Sequence, residues 1–323
     1  MVVLPDVRGG DEHDDPSNSQ EFTEEDEEGL RFNLRLPTLG GKQFWTDHCW
    51  KDGWRLQENA LTGHWRVLNP GNVRYGWGTR EECQAILDEH LPTPLRAETH
   101  VVVLLHGLMR SGSSMQKMAQ AVEDAGLGRA ILFEYASTRR GIAEHAAALR
   151  EFLESIPGQP RIDLVAHSMG NIVVRHALAD YQQQGDPRGL LERLGGLAML
   201  GPPNQGADIA KQLGRLGLFE TVTGRGGMEL GPAWSALEER LAIPPCPFII
   251  VAGDLSESWM FNPIVAGPSD LVVRVEETYL PGARDHHSVH VLHSFLMNDP
   301  EVQRLVIHFL EHLPPPPSID TRP

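Results

Sequence analysis

The stretch RIDLVAHSMG, residues 161–170, decides the fold. Its first five residues form a short, mostly apolar run that predicts a buried strand, and an amphipathic helix follows. Ser168 stands between the two, with the small residues Ala166 and Gly170 two positions to either side. A serine on such a strand-to-helix turn presents its hydroxyl above the sheet, where bulky flanking side chains would collide with the backbone. A serine that only caps the helix is the alternative interpretation.

Outward from this stretch, buried strands alternate with amphipathic helices from residue 100 to the last helix. Such alternation is typical of βαβ units, so we predict an α/β fold with a mostly parallel, twisted sheet and helices on both faces. The predicted strands cover residues 100–105, 130–133, 161–165, 196–200, 247–251 and 271–275. The final helix is marked by Asp299 as its cap and Pro300 at its first position.

Residues 29–95 differ in composition from this α/β region, which we place at residues 96–313. They hold five of the seven tryptophans. Short segments around Trp54 and Trp65 predict the strands of a hairpin or meander. Residues 79–90 predict a helix whose start carries Thr79 and Glu82 at capping-box spacing. We therefore expect a small Trp-rich module of strands and a helix, in which packing rather than a binding site accounts for the tryptophans.

Both ends of the sequence differ from the regions that we expect to fold. Residues 1–29 carry eleven acidic side chains against the single base Arg8, so most of the formal net charge of −16 lies there. Such a segment cannot bury enough apolar surface to offset the entropy of ordering it, and we expect residues 1–28 to be a disordered acidic tail. Residues 314–323 are rich in proline and predict a frayed second tail.

Composition argues against several classes of protein. No apolar run approaches the roughly 20 residues of a membrane-spanning helix, and no basic segment of a secretory signal is readable. The three cysteines lie far apart without a CxxC pair, which indicates neither a disulfide framework nor a thiolate zinc site. The acidic charge balance does not favour nucleic acid binding. We therefore expect a cytoplasmic protein whose contact with membrane surfaces is at most transient.

A second motif, His106-Gly107-Leu108-Met109, follows the first strong strand. Acyl transfer passes through an oxyanion that needs two fixed backbone donors, one directly after the nucleophile and one in a loop after an earlier strand. Met169 and Leu108 occupy these two positions. The alternative is that His-Gly marks only a tight turn.

Three segments together resemble the α/β-hydrolase lipases and esterases, in particular the lipase-like branch that includes GPI-inositol-deacylase-like proteins: VVVLLHGLMRSG (101–112), DLVAHSMGNIVVRHA (163–177) and LGPPNQGAD (200–208). The resemblance covers about residues 98–312 and leaves the Trp-rich module outside. It implies the α/β-hydrolase fold, Ser168 as nucleophile, and hydrolysis of a carboxylic ester without metal or cofactor. Ala166 departs from the first glycine of the usual G-x-S-x-G, but alanine also fits there.

The order of motifs in these families implies an acid in a later loop and a histidine before the last helix. Asp270 matches the loop of the acid, with Asp254 as the alternative, and His293 matches the histidine. The other histidines of this run are His286, His287 and His290, of which His290 is the second choice for the base. Four imidazoles at this spacing could instead converge on a zinc ion.

Residues 205–245 form the longest insertion and predict a cap or lid over an apolar acyl pocket. The substrate we expect is a small-molecule or lipid-like ester. Two alternatives stay open, an acyltransferase or thioesterase with the same triad and a non-catalytic binding protein on this fold, because fold analogy alone does not specify the chemistry.

Overall fold

The computed structural model describes residues 36–37, 43–91, 93–205, 234–256 and 267–314. Within these ranges the chain forms eleven strands in two sheets and seven α-helices. The strands are β1 (Leu36–Pro37), β2 (Trp45–Lys51), β3 (Trp54–Asn59), β4 (Trp65–Leu68), β5 (Val73–Gly78), β6 (His100–Leu105), β7 (Arg129–Phe133), β8 (Arg161–His167), β9 (Leu194–Leu200), β10 (Phe248–Gly253) and β11 (Asp285–Val289). The helices are α1 (Arg80–His90), α2 (Gln116–Asp124), α3 (Ile142–Ser155), α4 (Met169–Gln184), α5 (Leu190–Arg193), α6 (Trp234–Glu238) and α7 (Pro300–Glu311).

The larger sheet has the strand order β11-β10-β9-β8-β6-β7, and all of its pairs are parallel. Every residue of β9 and β10 is buried, as expected for strands that are covered on both faces. One apolar cluster packs α3 and α4 against the sheet, and a second packs α2 and α7 against the other strand residues. The predicted α/β fold with helices on both faces is confirmed. Parallel strands end at one common edge, so the loops after β6, β8, β9 and β10 meet there.

The smaller sheet is antiparallel, in the order β1-β5-β4-β3-β2, and α1 packs against it. Thr79 caps α1 by accepting the Glu82 N–H, and the Glu82 carboxylate accepts the Thr79 N–H in return. The predicted Trp-rich module of strands and a helix is confirmed. Its tryptophans do not share one core, since Trp65 packs inside the module whereas Trp50 belongs to the core of the larger sheet.

Strand β2 also joins the module to the larger sheet. The Asp47 N–H donates to the Glu134 carbonyl oxygen and the Glu134 N–H donates to the Asp47 carboxylate, both at 2.8 Å. The Ala136 N–H donates to the Thr46 hydroxyl at 3.2 Å. Strand β2 therefore runs along the segment that follows β7, the edge strand of the larger sheet, and these described residues belong to one compact unit. The boundary between residues 95 and 96 stays a prediction.

The prediction of a strand at residues 271–275 is wrong. Leu271 has φ 80°, which no strand residue adopts, and the N–H groups of Val272 and Val273 donate to the Asp270 carboxylate instead of a neighbouring strand. A 3-10 helix, Val275–Thr278, follows this turn. The last strand of the sheet is β11, which pairs parallel to β10 and contains His286 and His287, two of the four histidines of the run that ends at His293.

Several predictions fall on residues outside the described ranges. They concern the acidic tail 1–28, residues 206–233 of the cap insertion 205–245 and residues 315–323 of the Pro-rich tail. The described end of the insertion contains α6, whose Trp234 and Leu237 are buried. In the described part of the chain, no helix combines the length and the apolar character needed to cross a membrane.

Candidate active site

Ser168 lies at the junction of β8 and α4. Its backbone has φ 52° and ψ −123°, a combination that residues other than glycine rarely adopt. The turn is tight because α4 leaves it close to β6: a Cβ on Gly170 would lie 2.8 Å from the His106 carbonyl oxygen. Ser168 is therefore held at the carboxyl edge of the sheet, directly before the N-terminus of α4.

His293 and Asp270 form a close pair at the same edge. The distance between His293 Nδ1 and Asp270 Oδ2 is 2.7 Å, and both side chains are buried, at 8% and 1% exposure. The other carboxylate oxygen of Asp270 accepts the N–H groups of Val272 and Val273 at 3.0 and 2.8 Å. The carboxylate is thus fixed by its own turn, with one oxygen left for the imidazole.

The backbone of His293 is also held in place from both sides. Its N–H donates to the Asp270 carbonyl oxygen at 3.1 Å, and its carbonyl oxygen accepts His167 Nε2 at 3.0 Å. The rings of His167 and His293 lie 4.7 Å apart between centroids. His167 therefore links the serine turn to His293, a role that sequence reasoning missed, since the two histidines are 126 residues apart.

The structure thus places Ser168, His293 and Asp270 at one edge of the sheet. The Ser168 N–H donates to the Leu200 carbonyl oxygen at 2.9 Å, and Gly201, the next residue, lies so close to the His293 ring that a Cβ there would be 3.0 Å from Cε1. Among the described residues the Ser168 hydroxyl makes no hydrogen bond, so its approach to His293 Nε2 belongs to the proposal below.

The segment Gly107–Arg110 lies against the serine, and it is here called the oxyanion turn after the role that the sequence predicts for it. A Cβ on Gly107 would lie 3.0 Å from Ser168 Cβ, and the Arg110 N–H closes the turn by donating to the Gly107 carbonyl oxygen at 3.2 Å. Within the described chain the Leu108 N–H has no acceptor, and the Met169 N–H has none because it is the first of α4. Both candidate donors are therefore available at the site.

Burial keeps two histidines next to this site neutral. It lowers the pKa of His106 to about 4 and that of His167 well below its ordinary value, the latter with help from His293. A neutral imidazole has one N–H, and the neighbours decide which nitrogen carries it. His106 donates from Nδ1 to the Gly107 carbonyl oxygen at 2.8 Å, while its ring stacks on Tyr135. His106 therefore helps to fix the first peptide of the oxyanion turn.

The alternative site residues make other contacts. One oxygen of the Asp254 carboxylate accepts the Ser256 N–H at 2.9 Å, and exposed His290 contacts the Asp254 carbonyl oxygen, not a carboxylate. His286 Nε2 forms a hydrogen bond with the Thr278 hydroxyl at 2.8 Å. Among the described residues the four histidines of this run do not converge as metal ligands; the group whose ligand atoms do is His308, Glu311 and His312, at the exposed end of α7.

Residues 96–198 match the family described as "Putative serine esterase (DUF676)". A comparison with curated proteins finds no match. Among solved structures, the chain is similar to the lipase BlEst2 of Bacillus licheniformis in its mature form, with a TM-score of 0.53 and 18% identity over 69% of this chain and 94% of that one.

The propeptide form of the same lipase gives a TM-score of 0.51 and 18% identity, and the match covers 65% of this chain and 50% of that chain. At such identities the likeness bears on the fold and not on the substrate. The chain has the α/β-hydrolase fold of lipases and esterases, and its residues 96–198 are similar to a family of serine esterases.

Proposed function

We propose that the protein is a serine hydrolase that cleaves carboxylic esters, with Ser168 as nucleophile, His293 as general base and Asp270 as the orienting acid. The observation that carries the proposal is the 2.7 Å contact between His293 Nδ1 and Asp270 Oδ2 at the edge where Ser168 stands in its strained turn. A buried carboxylate on one ring nitrogen sets the tautomer and leaves Nε2 to take a proton.

In the proposed reaction, His293 Nε2 removes the hydroxyl proton of Ser168 as Oγ attacks the carbonyl carbon of the ester. The carbonyl oxygen becomes an oxyanion that accepts hydrogen bonds from the N–H groups of Leu108 and Met169. The imidazolium, stabilised by Asp270, then donates its proton to the departing alcohol as the C–O bond breaks. Water, deprotonated by His293, attacks the acyl-enzyme and releases the acid, and the proton returns to Ser168 Oγ.

Two exposed apolar side chains support an ester with an apolar acyl group. Met109 in the oxyanion turn is 40% exposed, and Phe295, two residues after His293, is 55% exposed. Exposed apolar side chains near a site favour lipid-like molecules or transient contact with a lipid surface.

A fluorophosphonate probe tests the nucleophile, because it bonds covalently to an activated serine. We expect the wild-type protein and the variant Ser113→Ala, which alters an exposed serine, to be labelled, and Ser168→Ala to remain unlabelled. Labelling that persists in Ser168→Ala would place the nucleophile elsewhere. An unlabelled wild-type protein that also cleaves no ester would instead indicate a non-catalytic binding protein.

Hydrolysis of a chain-length series of p-nitrophenyl esters tests the base and the substrate class. His293→Ala should reduce kcat by about 10³-fold or more, whereas His290→Ala, which removes the neighbouring exposed histidine, should change it less than about threefold. The reverse order would assign the base to His290. If a dilute simple alcohol is added and more new ester than free acid forms, the alcohol outcompetes a large excess of water, and this result would identify an acyltransferase.

A further inference from the structure

Gln43, which lies two residues before β2, connects the Trp-rich module to the oxyanion turn. Its Nε2 donates to the Arg110 carbonyl oxygen at 2.5 Å. Its Oε1 accepts the hydroxyls of Ser137 and Thr138 at 3.2 and 2.9 Å. The three partner residues lie 67 to 95 positions from Gln43 in the sequence, and the contacts join the module to two loops of the larger sheet.

Ser137 extends this network into the oxyanion turn. The buried Ser137 Oγ accepts the Met109 N–H at 3.1 Å while its own proton goes to Gln43. Met109 has φ 58°, a left-handed conformation that a residue with a side chain holds only when its surroundings fix it. Hydrogen bonds thus hold two successive residues of the turn: Ser137 binds the Met109 N–H, and Gln43 binds the Arg110 carbonyl oxygen.

The position of the turn decides the direction of the Leu108 N–H. This N–H belongs to the same trans peptide as the Gly107 carbonyl, so the two groups point in opposite directions. The Gly107 carbonyl oxygen accepts hydrogen bonds from His106 Nδ1 and from the Arg110 N–H. A displacement of Met109 or Arg110 would rotate this peptide and move the donor away from the oxyanion.

We propose that the N-terminal module braces the oxyanion turn, and that Gln43 is the positioning residue that connects them; this inference rests on the function proposed above. A side-chain amide suits the position, because one rigid group donates a hydrogen bond to a carbonyl oxygen and accepts hydrogen bonds from two hydroxyls. The hydrogen bonds of Thr46 and Asp47 to the segment after β7 hold Gln43 at a fixed distance from the turn. The module therefore acts on the chemistry through the geometry of one donor.

The test uses the full-length chain and the variant Gln43→Met, which keeps the length of the side chain and removes its hydrogen bonds. We expect kcat for a p-nitrophenyl ester to fall about tenfold with KM changed less than about twofold, since the oxyanion forms only in the transition state and loss of one donor costs about 10²–10³-fold. The rate constant of fluorophosphonate labelling should fall in parallel, because the phosphoryl oxygen uses the same donors.

Two further variants separate bracing from stability. Thr79→Ala removes the cap of α1 and weakens the module without touching the turn, so it should lower the melting temperature but leave kcat unchanged. Ser137→Ala should lower kcat like Gln43→Met, and the double variant should lose little more than either single one, because both interrupt one network.

An unchanged kcat in Gln43→Met, or an equal loss of kcat in Thr79→Ala, would overturn the brace while leaving the proposed hydrolase intact. If the wild-type protein neither cleaves esters nor reacts with the phosphonate, the proposed function fails, and the brace, which then has no oxyanion to serve, fails with it.

Discussion

Three buried histidines should make the folded protein less stable in mild acid. Burial lowers the pKa of His106 to about 4 and that of His145 to about 3, and it lowers that of His167 well below its ordinary value. In the unfolded chain the pKa of a histidine is about 6.5. Between that value and the folded pKa, the unfolded state binds a proton that the folded state does not. The stability is therefore fully present above about pH 7 and is lost progressively as the pH falls from about 6.5 towards the folded pKa, about 4 for His106 and about 3 for His145.

The size of the effect follows from the unfolded pKa. Lowering the pH from 7 to about 5.5 stabilises the unfolded state by roughly 1 kcal/mol for each histidine that stays neutral in the folded state, or about 3–4 kcal/mol for all three. Two other groups act in the opposite direction, because hydrogen bonds to glutamates outweigh burial and raise the pKa of His48, and burial raises that of Asp47. The net change in the wild-type protein therefore differs from the sum over the three histidines.

A comparison with His145→Leu isolates one of these groups. The His145 side chain is 1% exposed and packs edge-on against Tyr135 with 4.8 Å between ring centroids, and leucine fills a similar volume without titrating. Urea unfolding at both pH values should show that the wild-type protein loses roughly 1 kcal/mol more than the variant, because all other groups are common to both. Equal losses in the two proteins would mean that His145 takes up a proton in the folded state, which would refute the reasoning.

Three other substitutions test the turn, the acid and the last helix. Gly170→Ala should lower both the melting temperature and the esterase activity, because the added Cβ would lie 2.8 Å from a backbone oxygen. Gly71→Ala serves as the control, since its added Cβ meets a side-chain atom at 3.4 Å. Equal effects of the two substitutions would argue against the tight turn. Asp270→Asn should reduce kcat by about 10³–10⁴-fold and Asp254→Asn by little, and steady-state kinetics would reject the assignment if the order were reversed. Asp299→Ala should cost about 1 kcal/mol in urea unfolding, since the side chain accepts two N–H groups of α7; no loss would show that the cap is dispensable.

Apolar periodicity predicts the central strands and the edge strand β7 well, but it fails at the opposite edge of the sheet. β6 has the predicted bounds, because an internal parallel strand is buried on both faces and reads as a continuous apolar run. Among the described strands, β11 pairs with β10 alone. It carries the sequence DHHSV, because the residues of an edge strand need not be apolar. The run after Asp270 is apolar for another reason: Val273 is buried in the core from a turn whose N–H groups bind a carboxylate.

The residues of the candidate site differ in how far the sequence could indicate them. Ser168 is marked locally by the strand, the small flanking residues and the helix, and the structure adds its positive φ. His293 is one of four nearby histidines, and spacing alone could not separate it from His290. What separates them is the partner, since Asp270 meets His293 across 23 residues, and this contact depends on a turn that periodicity read as a strand.

The role that we propose for the N-terminal module depends on contacts that leave no sequence pattern. Gln43 and Ser137 are 94 residues apart, and neither belongs to an apolar stripe. The topology nevertheless explains why the module acts where it does. Among the described strands, β7 is at the edge of the larger sheet and pairs with β6, so an element that covers this edge comes next to the loop after β6. Because that loop is the oxyanion turn, a module added to stabilise the edge is placed where it can also position the donor.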